Sequence, residues 1–141
     1  MKRFKILDHT ADIGLIVYGE DLKSLFENAA AGFFHLITDL RKVKVRTTRP
    51  IRIEPYPEEN LERLMVDWLG ELLYLHDTES LLFRRFSLEY VGKEGLKGTV
   101  GGEIFREESH IIKTEVKAVT YHRIKVEQGE GRWEAQVIFD L

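Results

Sequence analysis

The chain has 141 residues, 43% of them apolar and 32% charged, with a formal net charge of −3 and no cysteine. That size encloses one core, so a single folded, water-soluble domain over 1–141 is expected. The charge argues against coating nucleic acid electrostatically, the missing cysteines exclude disulfides, thiolate catalysis and cysteine zinc sites, and no apolar run approaches the roughly 20 residues that span a bilayer.

Met1-Lys2-Arg3-Phe4 is basic but has no apolar run behind it, so no signal peptide is read and a cytoplasmic protein is expected. Residues 4–8 read as a short lead-in strand. After His9-Thr10-Ala11-Asp12 comes the alternating run Ile13 to Tyr18, a half-buried strand that turns at Gly19-Glu20. Asp21 is placed to cap a first helix. Its apolar residues Leu22, Leu25, Phe26, Ala29, Phe33, Leu36 and Ile37 recur at helical spacing and predict one buried face, ending near Thr38-Asp39. Lys42 to Ile53 alternates but holds Pro50, which predicts an edge strand or two strand pieces. Asn60 caps a second helix striped by Leu61, Leu64, Met65, Trp68, Leu69 and Leu72, with its end placed at His76-Asp77.

Strands are then expected over Leu82–Val91 and Leu96–Phe105, the second with Gly98, Gly101 and Gly102 as sites for a bulge or bend. Two more are expected over Val116–Val126 and Trp133–Leu141, joined by a hairpin turn at Gln128-Gly129-Glu130-Gly131. The fold class is α+β. Two amphipathic helices lie on mostly antiparallel sheet, in the order ββαβ(β)αββββ.

The candidate chemistry sits at the two ends of this order. Should the first and last alternating runs be neighbours, Asp12, Asp140 and the carboxylate of Leu141 meet in one place. Crowded carboxylates repel unless a cation lies between them. An all-oxygen donor set suits calcium, with magnesium or manganese as alternatives. The plainer reading makes Asp12 a turn cap and Asp140 a surface acid. His9 could be a further ligand or a hydrogen-bonding partner for Asp12, or it simply fixes a loop. His35, His76, His110 and His122 show no zinc spacing. Lys117 shares a strand face with Val119 and Tyr121 and could meet a phosphate or an acidic partner. The basic run Arg41, Lys42, Lys44, Arg46, Arg49 and Arg52 either guards a sheet edge or contacts RNA or an acidic protein. No phosphate-binding or nucleophile-elbow motif is present, so nothing supplies a nucleotide site.

Four stretches together resemble the archease family: His9-Thr10-Ala11-Asp12-Ile13-Gly14, Leu72-Leu73-Tyr74-Leu75-His76-Asp77, Glu115 to His122, and Phe139-Asp140-Leu141. The likeness runs the length of the chain. One departure is Phe139, which stands where family members carry proline. The resemblance implies an accessory protein, not itself an enzyme, for the GTP-dependent tRNA-splicing RNA ligase, promoting guanylylation of the ligase and its repeated turnover. It implies a divalent metal, taken as calcium, on Asp12, Asp140 and Leu141. It also implies functional interest in Lys117, a second partner class in tRNA methyltransferases, and only indirect involvement of tRNA. Two other readings stay open from the residues alone. One is a metal-dependent phosphoester hydrolase using Asp12 and Asp140 with His9 as base. The other is a chaperone-like binding module acting through the Arg41–Arg52 run.

Overall fold

The computed structural model of the chain describes residues 2–8 and 11–141. Its elements run β1 (Phe4–Asp8), β2 (Asp12–Gly19), α1 (Leu22–Ile37), a single 3-10 turn (Leu40–Lys42), β3 (Thr47–Ile53), α2 (Leu61–Glu79), β4 (Leu81–Gly92), β5 (Gly95–Ile104), β6 (Ala118–Val119), β7 (Lys125–Gly129) and β8 (Arg132–Asp140). The architecture is α+β, as expected. The strands form two antiparallel sheets. One has the order β1-β2-β8-β6 with β7 also on β8, and the other has the order β3-β5-β4.

The helices occupy the space between the sheets. α1 packs against β2 of one sheet and β4 of the other. Its buried residues therefore wrap around much of the helix, from Leu25 and Phe26 through Ala29-Ala30-Ala31-Gly32 to Leu36 and Ile37. This corrects the single buried face read from the sequence: a helix clamped between two apolar layers hides more than one stripe. The small residues let β2 approach closely, and a Cβ on Gly32 would stand 2.9 Å from Leu15. α2 touches β3, β4 and β5 on one side and β6 and β7 on the other. Trp68 ties the helices together, its fully buried indole Nε1–H donating to the Phe26 carbonyl at 2.9 Å.

Local chemistry fixes the helix ends. Asp21 accepts from the Ser24 amide while Ser24 Oγ accepts from the Asp21 amide, a reciprocal capping box. Burial raises the Asp21 carboxyl little, and hydrogen bonds from Ser24 hold it below the usual range. Asn60 caps α2 by accepting from the Arg63 amide. α2 outruns the expected stop at His76-Asp77. It continues to Glu79 and ends at Ser80, which takes left-handed dihedrals at φ 57°.

Three strand expectations are corrected or resolved. Residues 43–46 are not strand. They form an extended connector after the 3-10 turn, and β3 begins at Thr47, pairing only with β5 so that Pro50 lies on an edge. β4 carries the irregularities, at Phe83/Arg85 and Leu88/Tyr90, opposite the β5 glycines. A Cβ on Gly102 would collide with the Leu82 carbonyl. Finally, Val116–Val126 is not one strand. Ala118 pairs with Asp140 and Lys125 with Gln136, so this segment advances seven residues while β8 advances four. The slack forms a turn with Arg123 at φ 53°, and the Gln136 side-chain amide donates to the Arg123 carbonyl at 3.0 Å. The observed order thus has five strands after α2 where four were expected.

Residues 105–117 cross between the sheets without regular structure. They are pinned at several points: the Phe105 amide donates to Ser80, Thr38 Oγ1 to the Ile111 carbonyl, the Lys113 amide to Ile37 and the Lys117 amide to Asp140. Among the described residues no helix is long and apolar enough to cross a membrane.

Candidate metal centre

β2 and β8 are neighbours along their whole length, and the register places Asp12 directly opposite Asp140. The next pair outward is joined by the Leu141 amide donating to the Ala11 carbonyl at 3.3 Å. Hydrogen-bonded and non-hydrogen-bonded pairs alternate in an antiparallel ladder. Asp12 and Asp140 are therefore a non-hydrogen-bonded pair, the kind whose Cα atoms approach to about 4.5 Å with side chains on one face. That face is the one away from the core, since Ile13, Leu15, Val17, Val137 and Phe139 turn inward and are at most 7% exposed. The two carboxylates share a face because both alternating runs keep phase to their last residue.

Their surroundings differ. Asp140 is exposed and Asp12 half-buried. Asp12 Oδ1 is buried and has no hydrogen-bond partner among the described residues. Such an atom is costly to leave unmatched, by about 1–3 kcal/mol or more for a charged group. A cation beside it would satisfy it. Leu141 packs partly buried against the core, so its main chain is held beside the pair. Side chains alone do not complete a site, since among the described residues no three His, Asp or Glu side chains are grouped as metal ligands. The residues present fit a hard divalent ion that takes two carboxylates and main-chain oxygen, with water filling the remaining positions. His9 lies outside the described residues.

On the far side of β8, the Lys117 amide donates to the Asp140 carbonyl at 2.8 Å. The exposed Lys117 side chain lines a cavity of about 470 Å³ together with His76, Asp77, Ser80 and Glu115. Two stretches distant in sequence, the end of α2 and the segment from Glu115, thus meet beside the carboxylate pair. His76 Nδ1 lies 2.9 Å from the Leu81 carbonyl, which can only accept, so Nδ1 carries a proton.

The basic run is largely neutralised. Arg41 pairs with Asp39, Arg46 with Glu103, Arg49 with Glu79 and Arg52 with Glu54. This weakens an RNA-binding reading for the edge strand.

Sequence reasoning missed a buried polar cluster at the start of the crossing segment. Glu103 and His110 are each 3% exposed. Glu103 accepts from the Lys44 amide at 2.7 Å, from Arg46 Nε at 3.0 Å and from His110 Nε2 at 3.0 Å. The Arg106 amide donates to His110 Nδ1, which assigns the ring proton to Nε2. Burial pushes the Glu103 carboxyl up, but the hydrogen bonds from Lys44, His110 and Arg46 outweigh it and hold the pKa at about 2. The one available signal was an acid at an inward position of an alternating strand; a polar loop histidine gave none.

Comparison with known proteins agrees over the full chain. Residues 4–141 match the model of the Archease protein family (MTH1598/TM1083). Protein archease of Methanosarcina mazei is 40% identical over 144 residues, covering 99% of this chain and 97% of that protein. Protein archease of Pyrococcus furiosus is 41% identical over 145 residues, covering 100% of each. The solution structure of Methanobacterium thermoautotrophicum protein 1598 matches with a TM-score of 0.85 at 40% identity, covering 100% of both chains. A Thermotoga maritima crystal structure, described as an archease and possible chaperone, shares the fold with a TM-score of 0.63 at 22% identity, over 97% of this chain and 96% of that one. With the sequence motifs, the fold and these relatives in agreement, the chain belongs to the archease family.

Proposed function

We propose that the chain is an accessory protein of the GTP-dependent tRNA-splicing RNA ligase, that it promotes ligase guanylylation and repeated turnover, and that it does not join RNA itself. The observation that carries this reading is the opposed Asp12–Asp140 pair, with a buried oxygen that has no hydrogen-bond partner among the described residues, on a protein whose sequence has no nucleotide-binding motif. Asp12, Asp140 and the main-chain carboxyl of Leu141 would hold a divalent ion, calcium in the first instance. Bound there, the ion supplies a compact positive charge able to gather phosphate oxygens.

The chain's own residues do the rest. The β2–β8 ladder keeps the two carboxylates at fixed spacing on the outer face. The Lys117 ammonium, in the adjoining cavity, offers a counter-charge to a phosphate or carboxylate of the partner. A tRNA methyltransferase is a second partner for the same accessory role, and tRNA is met through the partner enzyme.

The test is ligase guanylylation with labelled GTP, with and without this chain, using Asp12→Ala and Asp140→Ala variants shown by circular dichroism to be folded. Both variants are expected to lose most of the stimulation at every concentration. Folded variants that stimulate as well as the wild type would sink the proposal.

A further inference from the structure

A groove of about 490 Å³ runs between α2, β3 and β6, lined by Arg52, Val66, Asp67, Gly70, Glu71 and Tyr121 among others. Gly70 sits in the middle of a 19-residue helix, where glycine is unfavourable relative to alanine. Packing does not require it: a Cβ built there meets nothing within 4 Å. The missing side chain leaves open space at the groove floor.

The walls offer an apolar surface and an aromatic ring, from Ile53, Val119 and the 56% exposed Tyr121. The charges are unevenly satisfied. Arg52 is held by Glu54 at 2.8 Å, and Asp67 accepts from the Tyr56 hydroxyl and faces Arg63 at 3.7 Å. Glu71 is exposed and makes no ion pair among the described residues. On the preceding turns of α2 the chain completes such a set with its own cation. Arg63 lies over the Tyr56 ring, 3.9 Å from its centroid, beside Asp67. Over Gly70 the equivalents are Tyr121 and Glu71, and the cation that lines this groove, Arg52, is taken by Glu54.

We propose that this groove docks an arginine or lysine side chain of the partner protein, its aliphatic stem lying over Gly70, its charge between Glu71 and the face of Tyr121. A nucleic acid is disfavoured, because its phosphates would approach the exposed Glu71 carboxylate. The proposal rests on the accessory-protein reading and names how the partner is gripped.

The experiment titrates the wild-type chain and the Gly70→Ala, Gly70→Leu and Glu71→Lys variants into the RNA ligase and reads the half-saturating concentration for guanylylation. Gly70→Ala is expected to raise the thermal midpoint by roughly 3 °C. Gly70→Leu and Glu71→Lys are expected to raise the half-saturating concentration by about tenfold or more, with the maximum stimulation recovered at saturation. A docking defect moves concentration dependence, whereas loss of the carboxylate pair lowers the maximum. Wild-type half-saturation in both variants overturns the groove while leaving the accessory role standing. A wild-type chain without effect on the ligase overturns both. A parallel titration with a tRNA transcript gives the remaining outcome: variants impaired for RNA and not for the ligase overturn the protein partner.

Discussion

Replacing Asp140 by asparagine should change the stability of the chain in opposite directions depending on calcium. The two carboxylates are a directly opposed, non-hydrogen-bonded antiparallel pair. At a charge separation of about 5 Å their repulsion is roughly 0.8 kcal/mol in water and about 3 kcal/mol at an effective dielectric constant of 20. Asp140 is exposed and Asp12 half-buried, so a figure near 1 kcal/mol applies. In EDTA, Asp140→Asn removes that repulsion and should raise the thermal midpoint by roughly 3 °C. In calcium the order reverses. A ligand at a hundred times its dissociation constant stabilises the wild type by about 2.7 kcal/mol, a midpoint rise of roughly 8 °C. The variant, with one carboxylate neutralised, should show little of that rise. Differential scanning calorimetry of both proteins in EDTA, calcium and magnesium reads all the terms. A wild-type midpoint indifferent to millimolar calcium and magnesium, with a variant less stable than wild type in EDTA, would refute the reasoning.

Acid stability should report the buried Glu103. Its folded pKa is depressed to about 2, so its contribution is fully present above the ordinary carboxyl pKa and is lost as pH falls through the window from about 4.5 to about 2. Urea unfolding midpoints should drop across that window. His110→Ala should cost about 1–3 kcal/mol at pH 7 by removing one donor from the buried carboxylate, and the gap to wild type should narrow at pH 3. An equal gap at both pH values would show that the ring contributes by packing alone. Trp68→Phe removes the indole hydrogen bond to the Phe26 carbonyl from the centre of the helix layer. A loss of about 2–3 kcal/mol in urea unfolding is expected. A change under about 0.5 kcal/mol would mean the two helices are not tied through that group.

The helices were legible because their determinants are local. Asp21 and Asn60 announce the caps, and the three- and four-residue apolar steps announce the buried stripes. The clamping of α1 between two sheets was less visible. Ala29-Ala30-Ala31-Gly32 are small enough to pass for a neutral stretch, and only the sheets on both sides make them core. The break in Val116–Val126 was invisible. No glycine or proline marks it, and Arg123 takes a left-handed conformation because two pieces of this segment must both reach β8. The Glu103–His110 cluster was hidden for a related reason, its partners coming from three separate stretches of chain.

The candidate site divides along the same line. By itself the sequence determined that Ile13–Tyr18 and Trp133–Phe139 each have an inward and an outward face, and that Asp12 and Asp140 lie in the outward phase of their own runs. Only the tertiary structure decided that β8 lies next to β2, in the one register that sets the two acids opposite each other. Alternation fixes which side of a strand is buried. The neighbour is chosen by contacts between residues more than a hundred positions apart, and a slip of one residue would turn Asp140 toward the core.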